Sequence, residues 1–102
     1  MKVIFKPSTN AKKKMMAIFY EKGKDGKLKK KKTTHFGAKG YTDYLISKDK
    51  ARRARYIKRH TNSRENHNNP MSAGSLSRYI LWGNSTSKQS NIRSFKKKFN
   101  LT

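Results

Sequence analysis

The sequence predicts a small α+β domain: an N-terminal antiparallel β-hairpin or three-stranded sheet, followed by three to four short helices. Three observations carry that expectation. Short apolar runs precede residue 40, an Asp-Gly turn separates two of them, and from Tyr41 onward the apolar spacing becomes helical.

Residues 1–13 read as a basic N-terminal arm in which "KVIF" (2–5) forms a short strand, and residues 14–102 as a single small domain. Within that domain "KMMAIFYE" (14–21) is the better strand, and "KGKDGK" supplies a turn in which Gly26 accommodates positive φ. A return strand through "LKKKKTTHF" completes a hairpin over 14–36 with a lysine-rich, mobile tip. Lys30, Lys31 and Lys32 have poor strand propensity, yet lysine is also how an exposed edge strand avoids pairing with other chains. Gly37 and Gly40 mark the exit from the sheet.

"YTDYLIS" makes a short turn or helix. Ser47 is then placed to cap a helix over about 48–59, with Asp49 in its first turn against the positive end of the dipole. At about 100° per residue, Ala51, Ala54, Ile57 and Lys58 fall on one side, expected to face inward through Ala54 and Ile57. Arg52, Arg55, Tyr56 and Arg59 fall on the other. "TNSRENHNNP" (61–70) reads as a polar loop. Ser72 offers a cap for a helix over 72–82, whose Ala73, Leu76, Tyr79 and Ile80 form the best core stripe, and Gly83 ends it. A last helix over 87–99 carries Ile92, Phe95 and Phe99 at i, i+3 and i+7, with Arg93 and Lys96 to Lys98 largely outside that stripe.

Composition bounds the function. Apolar residues make up 32% of the 102, about 38% with the six glycines, against roughly 45–50% for an ordinary soluble domain. The core is therefore small. With 27 Lys and Arg against 5 Asp and Glu, the net charge of +22 opposes compaction and attracts polyanions. Nucleic acid, an anionic lipid surface and acidic protein patches all qualify as partners. The 15 basic residues of the first fifty are all lysines, whereas all seven arginines follow residue 50. Because the arginine fork makes oriented, bidentate contacts, specific geometry is expected in the second half. There is no cysteine, which excludes disulfides and thiolate metal sites. The opening "MKVIFKPSTNAKKK" holds too short an apolar run for a signal peptide or a membrane span, so a soluble, unprocessed chain is expected.

No catalytic constellation emerges. The acids are Glu21, Asp25, Asp43, Asp49 and Glu65, scattered without a paired-carboxylate spacing. His60 and His67 flank Glu65, which invites a metal reading, but the spacing matches no metal signature and a polar loop with surface histidines is the simpler account. No nucleophile motif or phosphate-cradling glycine loop is present. The expectation is a non-enzyme with no cofactor, no metal and no small-molecule substrate.

Binding is the better reading. Arg52, Arg55 and Arg59, joined by Lys58, span roughly 10 Å of helix, suited to several phosphates or an acidic protein groove. The lysine runs Lys30, Lys31, Lys32 and Lys96, Lys97, Lys98 extend the basic surface. Tyr56 has the choice of stacking on a base or packing its ring, and packing is the commoner role for a tyrosine so placed. Tyr79, Trp82, Phe95 and Phe99 read as core or protein-interface aromatics.

The segments "GYTDY" (40–44), "RYIKRH" (55–60) and "PMSAGSLSRYILW" (70–82) together resemble a family of small basic proteins encoded by nucleocytoplasmic large DNA viruses, such as chlorella viruses. The "HFG" and "SFKKKF" segments are similar too, within a likeness over about residues 35–99, and "FYE" (19–21) before it is similar as well. That pattern contains no catalytic residues. The resemblance implies a virion-associated protein, a minor capsid or cement component on the inner side of an icosahedral shell, with capsid proteins of the same virus as partners. Genomic DNA or an anionic inner membrane would lie within reach. The alternative is a virion core protein that binds and condenses DNA without reading its sequence.

Overall fold

A computed structural model of the protein describes residues 1–61 and 68–102. It is an α+β fold, with a three-stranded antiparallel sheet followed by helical elements. Strands β1 (Lys2–Pro7), β2 (Lys13–Lys22) and β3 (Leu28–Ala38) lie in sequence order, so β2 is central and β3 is an edge. Residues 2–7 of the expected basic arm are therefore a strand of the sheet, and Val3 is in the core.

Period-two alternation decides which side chains go inside. Val3 lies opposite Phe19, Phe5 opposite Ala17, and Met15 opposite Phe36, so one face collects the apolar residues that the helices cover. The rows Ile4, Ile18, Thr33 and Lys2, Tyr20, Lys30 belong to the other face. Phe19 pairs with Lys32 and Tyr20 with Lys30, which leaves Lys31 as an inserted residue, a bulge in β3. The hairpin turn closes through Gly26, whose φ of 79° suits glycine. On the open side of β1 the Val3 N–H donates to the Thr102 carbonyl, and the Thr102 N–H to that of Met1, both at 3.1 Å.

Four helices follow. Helix α1 (Tyr44–Ser47) is capped by Asp43, and α2 spans Lys50–Thr61. Asp49, rather than the expected Ser47, caps α2. Its carboxylate accepts from the Ala51 and Arg52 N–H groups at 3.0 and 3.1 Å, while Ser47 Oγ accepts only from Asp49 N–H. Helix α3 (Ala73–Leu76) is capped by Ser72 and runs into a π-helical turn, Ser77–Leu81, closed by the Trp82 N–H donating to the Ser77 carbonyl at 2.9 Å. Helix α4 (Lys88–Lys98) starts at its Ser87 cap.

Two inward-facing expectations are corrected. Ala54 is exposed, and the packed face of α2 is Arg53, Tyr56, Ile57 and His60, an i, i+3, i+4, i+7 set. That face lies about a quarter-turn from the expected one, because an arginine occupies a position that hydrophobic patterning assigns to the surface. Ala73 is also exposed. The π turn inserts a residue and changes the helical phase. Leu81 and Trp82 thereby join Leu76 and Ile80 in the core.

Asn91 on α4 holds the end of this segment. It is 2% exposed, its Nδ2 donates to the Ile80 and Ser85 carbonyls at 2.9 and 2.8 Å, and its Oδ1 accepts from the Ser85 N–H at 3.0 Å. Gly83 makes the approach feasible, since a Cβ there would stand 2.4 Å from the Tyr79 carbonyl oxygen and 2.5 Å from Asn91 Cγ.

Candidate functional site

A groove of about 640 Å³ lies between the start of β2, the end of β3, α2 and the α3 segment. Its floor is aromatic. Tyr56 and Trp82 are each 8% exposed and stack with ring centroids 4.3 Å apart and planes 6° from parallel. His60 lies on Tyr56, centroid to centroid 4.0 Å. Tyr56 thus spends its ring on packing, and Trp82 is a core residue, not a surface anchor.

The rim is polar and mostly cationic. Arg52 and Arg59 border the groove from α2, with Lys13 and Lys14 on the sheet side. Tyr41, at 74% exposure, stands at its mouth as the most exposed large hydrophobic residue. Such a ring, unburied by its own fold, is the residue type that anchors protein interfaces. Among the described residues the one carboxylate in the lining, Asp43, is already committed. It is 2% exposed, caps α1 through the Ile46 N–H at 3.1 Å, and binds Lys14 Nζ at 2.7 Å. An entering ligand meets arginine and lysine with little opposing negative charge.

Arg53, which sequence reasoning passed over, works behind this floor. Its Nε donates to the Trp82 and Gly83 carbonyls at 3.1 and 2.8 Å, its Nη2 to Asn84 Oδ1 at 2.6 Å, and its guanidinium lies 5.6 Å from the Tyr44 ring centroid. Arg78 approaches the same Trp82 carbonyl at 3.3 Å. Burial holds the Arg78 guanidinium below the ordinary arginine pKa, and the neighbouring Arg53 cation pushes it the same way.

The other sequence-predicted residues are spread over the molecule. Arg55 and Lys58 are exposed on α2 outside the groove lining. Lys30, Lys31 and Lys32 are exposed on the edge strand, where Lys31 Nζ lies 3.2 Å from Glu21. Lys96 borders a second cavity of about 510 Å³ between β1 and α4, Lys97 faces solvent, and Lys98 Nζ sits 5.2 Å from the Tyr79 ring centroid. The aromatic set divides. Tyr79, Phe95 and Phe99 interlock between the π turn and α4, with Tyr79–Phe99 centroids at 5.8 Å and Phe95–Phe99 at 5.0 Å. Trp82 belongs with Tyr56.

Among the described residues no three His, Cys, Asp or Glu side chains gather to hold a metal ion, and no helix is long and apolar enough to cross a membrane. Glu65 and His67 of the weighed metal reading lie outside the described residues. Tyr41, Asp43, Lys13 and Lys14 are among the groove residues that the sequence reading did not single out as sites; Tyr41 and Asp43 stand in the "GYTDY" segment, and Asp43 among the scattered acids.

No curated protein and no solved structure matches the chain. Residues 3–60, from β1 to the penultimate residue of α2, match the profile described as "Family of unknown function (DUF5754)". That span is more than half of the chain and includes Tyr41, Asp43 and the arginines of α2, and the protein belongs to this family.

Proposed function

We propose that the protein is a non-enzymatic structural component of a large DNA virus particle, a minor capsid or cement protein. In this reading the groove docks an acidic segment of a neighbouring capsid protein on the inner side of the shell. One observation carries it. The segments that bear the resemblance to large-DNA-virus proteins, residues 40–44, 55–60 and 70–82, are separate in sequence and all contribute to the lining of one groove. The chemistry of that groove suits a protein partner: an exposed tyrosine for an anchor, two arginines for carboxylates, and a packed aromatic floor that gives the site a fixed shape. Among the described residues the one carboxylate in its lining, Asp43, is bound to Lys14.

The test is a photo-crosslinker placed at Tyr41 in the protein within intact particles, followed by gentle disruption. Crosslinks to capsid proteins, and retention of the protein on shell fragments, are expected. Release of the whole population with the DNA core, with no shell crosslinks, defeats the cement reading.

A further inference from the structure

We propose that the ribbon formed by the far ends of β2 and β3 binds duplex nucleic acid through its phosphates, without reading sequence. The site is set by the strand register. β1 begins at Lys2, opposite Tyr20, so beyond that row only β2 and β3 continue, paired as Glu21 with Lys29 and Lys22 with Leu28. The turn that closes them is bridged by its own backbone, with Gly23 N–H donating to the Lys27 carbonyl at 2.8 Å and Gly26 N–H to that of Gly23 at 3.0 Å.

Charge concentrates on this projection. Residues 21–32 hold seven lysines, all exposed, against Glu21 and Asp25. The Asp25 carboxylate accepts from the Lys27 N–H at 3.1 Å, and Glu21 pairs with Lys31, the one ribbon lysine in an ion pair among the described residues. A two-stranded ribbon is one of the two elements that the major groove of a duplex, about 12 Å wide, admits. Side chains two residues apart on a strand are about 6.7 Å apart, which matches two nucleotide steps of about 3.4 Å each measured along the DNA helix axis. The bulge at Lys31 adds right-handed twist to the ribbon.

Sequence independence follows from what the ribbon lacks. It has no Arg, Asn or Gln in residues 21–32, the planar forks that fix a base-edge contact, and its lysines present point charges on flexible stems that suit phosphates in any sequence. A membrane surface fits less well, because Leu28, at 51% exposure, is the one large aliphatic side chain there, and surface-bound elements bury an apolar face as well as presenting charge. This inference uses residues different from those of the groove, so either can fail while the other stands.

The experiment is a salt titration of the full chain binding a 20-base-pair DNA duplex of arbitrary sequence, with a single strand of equal length and phosphatidylserine vesicles as further arms. With six ribbon contacts the slope of log K against log salt is about −5, an affinity loss of about 10³-fold between 50 and 200 mM salt. Lys29→Gln, Lys30→Gln, Lys31→Gln and Lys32→Gln together shrink the slope by about 3.5, leaving a loss of less than about tenfold over the same range. Arg52→Gln with Arg55→Gln and Arg59→Gln changes it by less than about 1. Lys24→Gln with Lys27→Gln, in the turn and outside the strand ladder, removes about 2 and serves if the fourfold variant does not fold. Equal slope loss per charge for ribbon and α2 variants overturns the proposal. So does single-strand binding as tight as duplex binding, or a ribbon variant that loses vesicle binding while keeping duplex binding.

Discussion

Arg53→Ala tests whether one arginine of the basic stretch is structural while its neighbours are not. The substitution removes the Nε bonds to the Trp82 and Gly83 carbonyls, the Nη2 bond to Asn84 and the contact over Tyr44. A hydrogen bond from a charged donor is worth about 1.5–3 kcal/mol, and the cation–π contact about 0.5–1 kcal/mol. The exposed Asn84 contact adds little, and the one Nε hydrogen is shared between its two carbonyls, so the expected loss is about 2–4 kcal/mol. For a chain of this length the entropy of unfolding near Tm is about 0.2 kcal/mol/K, so Tm falls by about 10–20 °C. Arg53→Lys recovers only part of that, because a single ammonium replaces a fork that spans two carbonyls and an amide. Arg52→Ala with Arg55→Ala is the paired control. Both side chains are exposed, and their removal lowers the net charge of +22, so Tm is expected to shift by no more than about 2 °C while partner association weakens. Thermal melts followed by circular dichroism read both. Losses of equal size for Arg53→Ala and the double variant would refute the division of labour along α2.

Further outcomes follow from the polar interior. Asn91→Leu leaves the Ile80 and Ser85 carbonyls and the Ser85 N–H without their partner, a loss of about 3–5 kcal/mol; urea unfolding should show a lower midpoint at an unchanged m value. Gly83→Ala sets a Cβ against the Tyr79 carbonyl and Asn91, at a cost of about 1–3 kcal/mol, and Trp82 fluorescence should report a disturbed stack on Tyr56. Asp43→Asn keeps the α1 cap but strands the partly buried Lys14 ammonium; about 2–3 kcal/mol is expected, read by calorimetry, and a variant as stable as wild type would mean that the pair contributes nothing net.

Much of the fold was legible because it rests on local rules. The apolar run in "KMMAIFYE", the Asp25-Gly26 turn, the Ser72 cap and the Ile92, Phe95, Phe99 stripe place the hairpin and the last two helical segments within a few residues. What escaped depends on tertiary context. The inward face of α2 is hidden because its key member is charged, and hydrophobic patterning has no means of marking an arginine that satisfies backbone carbonyls from another element. The π turn has no local signature, and Asn91 in a polar helix is indistinguishable from a solvent-facing residue until Ile80 and Ser85 are seen beside it. The groove was invisible for the same reason: Tyr41, Tyr56 and Trp82 meet only after the sheet and helices have packed.

Deleting a residue from the Ser77–Leu81 turn would restore ordinary α-helical hydrogen bonding, so the local backbone would gain regularity. Everything downstream would rotate by about 100°, carrying Trp82 off Tyr56 and withdrawing the carbonyls that Arg53 grips. A conservative exchange at any one of these positions does far less harm than such a repair. The length of this segment, more than the identity of its residues, determines whether the groove has a floor.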